Sequence, residues 1–397
     1  MKMISRDDDG PDRSADLVTA AQRLSSLVVA SREEGERIRR VPSHVVEALA
    51  AAGLLQMFLP RSMGGPELDP LTVFRAIEEI SKADGSVGWC TMIATDVSLL
   101  MGWLPADIGR EFCRQPADFR GAGSLRPLGR AYPVDGGYRI QGRWNFASGI
   151  DHADWLYCPC IVTEGDRPQL TEAGTPRVRA AWLRSDQATI KDTWSVLGMR
   201  GTGSQDFVVD NVVVPAGHTC FIGEPASETG PLYKPRLVFV TLFSVAAANS
   251  LGIARGAIEA FVELAGRESS TSSTAALRDR PFVQAHLAEA EAILNAARAY
   301  VIDALGALWK TICNGAADPS ITIAQARLAI VHAMHEAVRS VDLVFHAAGT
   351  NAIYTRNPLE RHFRDIHVAV QHNSAFRAQY ESAGKVLMGL HPADMGW

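Results

Sequence analysis

Apolar residues follow a helical spacing in the first part of the chain. From residue 15 to about 115, alanine and leucine recur every three or four positions, as in helices that bury one face. Asp69 before Pro70 predicts a helix start, because an aspartate side chain caps free backbone N–H groups and proline fits the first turn. Gly53 predicts the end of a helix that begins near Ser43. This region is therefore predicted to be helical.

The spacing changes between residues 116 and 230, where glycine and proline become frequent and β-rich runs appear. Three runs are predicted to be strands: 155–162, 178–183 and 207–214. Together they predict a mostly antiparallel β region. Helical spacing returns from residue 231 onward, with a second cap-like start at Asp318 and Pro319. The pattern therefore predicts helices, a β insert and then a helical bundle.

One stretch of the bundle, 237–254, contains no charged residue. Its length is at the lower limit for a membrane-spanning helix, and four polar residues interrupt it: Thr241, Ser244, Asn249 and Ser250. A buried bundle helix is therefore the favoured interpretation, and no membrane partner is predicted. Residues 1–14 are polar and acidic, unlike a signal or transit peptide, and are predicted to form a loose tail.

Composition argues against several classes of protein. Of the 397 residues, 47% are hydrophobic and 21% are charged, which predicts a globular chain rather than a disordered one. The net charge of −5 argues against a nucleic-acid surface. The six cysteines form no C-x-x-C pair and no Cys, His and Asp cluster has metal-ligand spacing, so no metal site is predicted and a reducing, cytoplasmic setting fits. No G-x-G-x-x-G motif follows a strand, so no nicotinamide site is predicted.

Three motifs are similar, in order and spacing, to those of the acyl-CoA dehydrogenase superfamily. Segment 138–149, YRIQGRWNFASG, resembles the family strand that lies against the flavin ring. Segment 194–215 resembles the G-x-R-x-[ST] turn and the strand after it, and segment 346–365 resembles the connection between the last two helices. The resemblance implies an α+β, acyl-CoA dehydrogenase-like fold with four parts: a tail at 1–14, an N-terminal helical domain at 15–115, a middle antiparallel β domain at 116–230 and a C-terminal four-helix bundle at 231–397.

The glutamate that acts as the base in many acyl-CoA dehydrogenases has no counterpart here. Nine residues after Arg364 stands Asn373, preceded by His372. An amide cannot accept a proton as a general base. The other usual place for the base, the stretch 237–254, contains no Asp or Glu. With both base positions vacant, the chain resembles the branch of two-component flavin-dependent monooxygenases more than the dehydrogenases. Segments 83–90 and 198–204 are also similar to that branch.

That branch implies an oxygenase component that uses reduced FAD or FMN and O2. A separate NAD(P)H:flavin reductase would supply the reduced flavin, and a C4a-hydroperoxide would hydroxylate a small phenol- or indole-like aromatic. A cytoplasmic homotetramer is implied with it. Three alternatives remain open: an acyl-CoA dehydrogenase-type enzyme with a displaced base, an N- or S-oxygenase on the same frame, and a non-catalytic family member that binds a ligand.

The resemblance also implies a set of site residues. Ser148, two residues after Phe146, is predicted to bond flavin N5 and so protect the hydroperoxide. His372, beside the vacated base position, is predicted to accept a proton from the substrate with a near-neutral pKa. Arg364 and Asp365 are interpreted as an ion pair between helices without a direct catalytic role. The other predicted flavin contacts are Phe146, Ala147, Trp194, Arg200, Thr202 and Ser204. The predicted substrate contacts are Trp89, Asp96, Asn249, His372 and Asn373.

Overall fold

The computed structural model has a helical region, a β-sheet and a second helical region, in the predicted order. Helix α1 begins at Arg13, so most of the predicted tail lies outside the described part of the chain. The structure describes residues 13–113, 119–221, 223–267 and 276–392.

Helices of the N-terminal region end and begin near the predicted signals. The Asp69 carboxylate accepts hydrogen bonds from the backbone N–H groups of Leu71 and Thr72, at 3.0 and 3.1 Å, which confirms the predicted cap. Gly53 takes a φ of +74° just after α3, a conformation that favours glycine at the end of a helix. The helices are α1 (Arg13–Ala30), α2 (Arg32–Ile38), α3 (Ser43–Ala51), α4 (Pro70–Ala83), α5 (Gly85–Leu100) and α6 (Ala106–Phe112).

The middle region is a sheet whose strands follow the order β7-β8-β3-β2-β4-β6-β9, with β1 and β5 both paired to β4. Only the β1–β4 and β2–β4 pairs are parallel in the described sheet, so the antiparallel prediction is largely confirmed. Strands β4, β6 and β8 contain the three predicted runs. The strands are β1 (Gly121–Gly123), β2 (Gly129–Val134), β3 (Gly137–Ala147), β4 (Trp155–Glu164), β5 (Arg167–Pro168), β6 (Val178–Arg184), β7 (Thr189–Lys191), β8 (Gln205–Pro215) and β9 (Thr219–Cys220).

The C-terminal region packs long helices around α7, which contains the uncharged stretch. Residues 236–266 are long and apolar enough to cross a membrane, but 94% of their most apolar window is buried, as in the core helix of a bundle. The prediction of a buried bundle helix is therefore confirmed. The helices are α7 (Pro235–Arg267), α8 (Pro281–Cys313), α9 (Ser320–Ala348), α10 (Pro358–Ala369) and α11 (Ala378–Leu387).

Helices α5 and α7 lie side by side and antiparallel. At one end the Asn249 amide nitrogen donates to the Gly85 carbonyl oxygen and to the Ser81 hydroxyl, both at 2.9 Å. At the other end Gly102 packs so closely on Tyr233 that an added Cβ would lie 2.3 Å from the ring. Asn249, predicted from the sequence as a substrate contact, is 0% exposed and joins α7 to α4 and α5. Its observed role is therefore packing.

Candidate active site

Four buried side chains form a chain of hydrogen bonds where β3 ends. The Trp89 Nε1–H group donates to the Ser148 hydroxyl at 3.2 Å. The Ser148 and Ser204 hydroxyl oxygens are 2.7 Å apart, and those of Ser204 and Thr202 are 2.6 Å apart. The Thr202 hydroxyl donates to the Met199 carbonyl oxygen at 2.9 Å. Three predicted flavin contacts, together with Trp89, therefore meet in one cluster.

The end of this chain sets the direction of every bond in it. An indole N–H can only donate and a carbonyl oxygen can only accept, and each hydroxyl has one proton. Because the Thr202 proton goes to Met199, Ser204 must donate to Thr202, and Ser148 must donate to Ser204. The remaining lone pair of the Ser148 oxygen is therefore free to accept a hydrogen bond from a bound group. A shallow cleft adjoins Ser148 and Gly149.

Phe146 presents its ring outward from the same turn. The β3–β8 register shifts between Trp144 and Ala147, and Phe146 takes a φ of +61°. A non-glycine residue in this left-handed region costs about 1–2 kcal/mol, so the surrounding contacts must hold it there. Its ring is 59% exposed and lies edge-to-face with Trp194 at 6.3 Å. Ala147 is fully buried in the sheet core.

The turn before β8 is held by a residue of α10. Met199 has a φ of +54°, and its backbone N–H donates to the Asp365 carboxyl at 2.5 Å. Burial raises the pKa of Asp365 to about 7, and the nearby Asp84 carboxyl adds to the effect. The Met199 carbonyl oxygen accepts from Trp194 Nε1 at 3.0 Å. Asp365 therefore positions the turn from which Thr202 and Ser204 extend.

The predicted ion pair between Arg364 and Asp365 is wrong. The Arg364 guanidinium instead pairs with Glu36 at 2.8 Å and with Glu360 at 2.5 Å. Adjacent residues on a helix point about 100° apart, so one faces the acidic side chains and the other faces the turn. Arg200, predicted to contact flavin, is exposed and lies 3.5 Å from Glu36, outside the hydroxyl cluster.

Two substitutions of Asp365 should distinguish the effect of its hydrogen bond to the Met199 turn from the effect of its charge. Asp365→Ala leaves the buried Met199 N–H without an acceptor, which is expected to lower the free energy of unfolding by about 1–3 kcal/mol and to weaken flavin binding. Asp365→Asn keeps an acceptor oxygen and should retain most of both properties. Thermal unfolding and flavin titration of the two variants measure the difference. Equal losses in both variants would mean that the carboxylate charge, not the hydrogen bond, is what matters.

His372 lies beside the hydroxyl cluster but is not a near-neutral base. Its ring lies edge-to-face with Trp89 at 5.5 Å and with Phe243 at 6.1 Å. Burial lowers the pKa of His372 to about 4, because an apolar surrounding disfavours the imidazolium. The near-neutral pKa predicted from the sequence is therefore wrong. Asn373, at the vacated base position, is exposed.

The His372 tautomer follows from its neighbour. Nδ1 accepts from the Ser374 backbone N–H at 3.4 Å and lies 2.8 Å from the Ser374 hydroxyl. The Ser374 hydroxyl also lies 3.3 Å from the Met334 sulfur, which is a weaker acceptor than an imidazole nitrogen. With the backbone N–H, and the hydroxyl, donating to Nδ1, the ring proton is assigned to Nε2. Nε2 has no hydrogen-bond partner in the described part of the chain. The neutral ring therefore offers an N–H donor to whatever binds beside it.

Together with nearby side chains of α5 and α7, these rings form what we call the α5–α7 recess. On α5, 16 residues long, all but Cys90 and Ile93 are buried, and within 237–254 of α7 only Phe239 is not buried. Ile93 and Phe239 therefore keep some accessible surface in this part of the two helices. The recess is defined by Trp89, Ile93, Asp96, Phe239, Phe243 and His372. The sequence analysis missed Ile93, Phe239 and Phe243, although 89, 93 and 96, and likewise 239 and 243, have the spacing of one helix face.

A flavin fits the groups that surround Ser148. Its ring has apolar faces and a polar edge, and the site offers exposed apolar side chains beside buried hydroxyls. Phe146 and Leu197 are 59% and 67% exposed although both are large and apolar. The described residues include no group of three or more His, Cys, Asp or Glu side chains that could hold a metal ion.

Comparison with known proteins agrees with this geometry. Residues 14–112 match the N-terminal domain of acyl-CoA dehydrogenase, and residues 244–376 match its C-terminal domain. Indole-3-acetate monooxygenase of Acinetobacter baumannii is 32% identical over 383 residues, 96% of each chain. The oxygenase subunit HsaA of a flavin-dependent monooxygenase from Mycobacterium tuberculosis is 30% identical over 399 residues, 96% of this chain and 98% of that protein.

Solved structures show the same fold. The crystal structure of the HsaA monooxygenase from M. tuberculosis has a TM-score of 0.87 and 27% identity, and it covers 97% of this chain and 100% of that one. The α+β fold class and the flavin dependence expected from the motifs are confirmed. The chain therefore belongs to the acyl-CoA dehydrogenase superfamily, within its branch of flavin-dependent monooxygenase oxygenase components.

Proposed function

We propose that this chain is the oxygenase component of a two-component monooxygenase that hydroxylates a small phenol- or indole-like aromatic. The relatives named above include an indole-3-acetate monooxygenase, and a resorcinol hydroxylase oxygenase component is 28% identical. The observation that supports the proposal is a hydroxyl cluster joined, through Trp89, to an aromatic recess in which His372 lies beside the ring of Trp89. Asp96 is the carboxyl of the recess, and it lies about 10 Å along α5 from Trp89.

The direction of the hydrogen bonds suits reduced flavin. N5 of reduced flavin bears a proton, whereas N5 of oxidised flavin is an acceptor. The Ser148 oxygen is free to accept, so it would hold the N5 of the reduced form. Phe146, the backbone of Ala147, Trp194, Thr202 and Ser204 would surround the ring. When bound, the reduced flavin supplies the electrons that activate O2.

The recess would hold the aromatic ring. Trp89, Phe239 and Phe243 offer ring edges and faces that exclude water. The Nε2–H group of His372 would donate to an oxygen or to the ring of the substrate and so orient it. Asn373, exposed at the surface, would contact only a part of the substrate that reaches out of the recess.

Several further proposals rest on the family. A separate NAD(P)H:flavin reductase would supply the reduced flavin, as FAD or FMN. The chain would work as a cytoplasmic homotetramer joined through its C-terminal helices. Its division into a tail, 1–14, and domains at 15–115, 116–230 and 231–397 would match that of the family.

The oxygenase proposal has a direct test. The protein is mixed anaerobically with reduced FMN or FAD, and then with O2 and an aromatic such as indole, indole-3-acetate or resorcinol. Hydroxylated product, measured by mass spectrometry, is the expected result. Reduction of protein-bound oxidised flavin by an acyl-CoA thioester, with no hydroxylation of any aromatic, would instead establish a dehydrogenase with a displaced base.

Substitution of Ser148 should change the use of oxygen. Ser148→Ala removes one acceptor of a hydrogen bond worth about 0.5–1.5 kcal/mol, so reduced flavin should bind several-fold more weakly. More of the oxygen consumed should appear as hydrogen peroxide. Ser195→Ala, at an exposed position of the segment between β7 and β8, is the control. Unchanged affinity and unchanged product yield in Ser148→Ala would remove Ser148 from the flavin site.

A further inference from the structure

A buried carboxyl group in the α5–α7 recess has no partner. Asp96 is 7% exposed, and its Oδ1 is shielded from solvent without a hydrogen bond. No ion pair or hydrogen bond of its side chain occurs in the described part of the chain. Burial raises the pKa of Asp96 well above its ordinary value. An unpaired buried carboxyl destabilises a fold, so its presence here calls for a ligand that completes it.

The geometry of α5 shows where this carboxyl points. Asp96 follows Trp89 by seven residues, so both lie on one face of the helix, about 10 Å apart along its axis. Ile93, partly exposed, lies between them. The contacts at Gly85 and Gly102 set α5 antiparallel to α7, which brings Asp96 to the level of Phe239. Asp96 therefore occupies the end of the recess that is distant from Ser148.

Arg327, the charged side chain that packs against Phe243 of the recess, makes its contacts with residues other than Asp96. The Arg327 guanidinium lies over the Phe243 ring at 5.7 Å and donates to the Gln379 side chain at 3.3 Å. The carboxyl of Asp96 is therefore left able to accept a hydrogen bond from a bound molecule.

We propose that Asp96 selects aromatic substrates with a short side chain that ends in an N–H or O–H donor. This inference rests on the proposed function, because it assumes that the aromatic ring lies against Trp89 and His372. A carboxyl has at least one acceptor oxygen in either protonation state, so a donor satisfies it in both. A side chain that ends in a carboxylate brings no donor. The donor is either a neutral group or an ammonium, which would also stabilise the ionised carboxyl.

The test compares three indoles whose side chains have similar length: tryptamine, tryptophol and 3-propylindole. Calorimetric titration of the full chain is expected to show at least about tenfold tighter binding of tryptamine, tryptophol or both than of 3-propylindole. Asp96→Leu should abolish this preference without weakening 3-propylindole. Equal binding of all three by the original protein, or a preference that survives in Asp96→Leu, would overturn the proposal.

A second pair of measurements distinguishes the two kinds of donor. If the donor is an ammonium, tryptamine binds most tightly, releases a proton as Asp96 ionises and loses its advantage in Asp96→Asn. If the donor is neutral, tryptophol binds at least as tightly as tryptamine, releases no proton and is still bound by Asp96→Asn. Titration in two buffers of different ionisation enthalpy measures the proton. Either result supports recognition by Asp96.

Stability provides a control that does not depend on a ligand. Because the carboxyl is unpaired, Asp96→Leu should melt at the same temperature as the original protein or higher. A clear loss of stability would mean that the carboxyl has a structural partner, which would overturn the proposal. Asp303→Leu, at an exposed position of α8, should leave the donor preference unchanged.

The binding series and the oxygenase proposal fail in different ways. A donor preference that depends on Asp96, with no hydroxylation of any indole by reduced flavin and O2, would leave the recognition inference intact and refute the oxygenase. Hydroxylation of an indole without any donor preference would support the oxygenase and refute the recognition inference.

Discussion

The purified protein, given NADH and oxidised flavin, is expected to form no hydroxylated product, and adding a flavin reductase should start the reaction. The chain has no G-x-G-x-x-G motif between a strand and a helix. Its glycine-rich turn at 198–203 leads into strand β8, not into a helix whose N-terminus could bind a pyrophosphate. Nothing in the described part of the chain therefore resembles a nicotinamide site, and the effect of the reductase should be all-or-none.

Chemically reduced flavin is the control for this experiment. It should replace both NADH and the reductase, and reductases of unrelated origin should serve equally well if the flavin diffuses between the two proteins. Absorbance of NADH follows the reduction of flavin, and chromatography of the product follows the hydroxylation, so the two reactions are measured separately. Rapid oxidation of NADH by the purified chain alone would contradict the two-component proposal.

Replacing His372 with alanine is expected to slow hydroxylation by about 10²–10³-fold, the usual effect of removing a well-placed donor or proton-transfer group. Reduced-flavin affinity should change little, because the ring contacts Trp89 and Phe243 and has no direct bond to the Ser148 cluster. Single-turnover kinetics with pre-bound reduced flavin separates binding from hydroxylation. His372→Gln restores an N–H donor without a titrating ring and should recover part of the rate.

The pH profile distinguishes a donor from a base. Burial lowers the pKa of His372 to about 4, so the ring stays neutral above about pH 5 and the His372-dependent part of the rate should be flat from pH 6 to 8. If the hydroxylation rate instead rises with pH around a midpoint near 6.5, and this rise is absent in His372→Gln, His372 acts as a near-neutral base. The pKa in the fold is below that in the unfolded chain, so the associated stability is present above about pH 6.5 and is lost as pH falls toward 4.

The order of the elements, and the absence of the usual catalytic base, could be predicted from the amino-acid sequence alone. Local features set the cap at Asp69, the end of a helix at Gly53 and the alternation of helix and strand, because periodicity and capping act within a few residues. The amide at Asn373 and the uncharged stretch 237–254 excluded the usual base without any coordinates. The motifs around Ser148 and Ser204 likewise indicated a flavin-dependent protein, and the comparisons confirmed the flavin dependence.

Only the tertiary structure decided how these residues act, because burial and partners depend on segments far apart in the chain. Asp365 receives the Met199 N–H across 166 positions, whereas its neighbour Arg364 faces another way. The pKa of His372 falls because helices from other segments remove it from water. Asn249 became a packing residue and Asp96 an unpaired carboxyl on facing helices, a difference that neither residue type nor spacing contains.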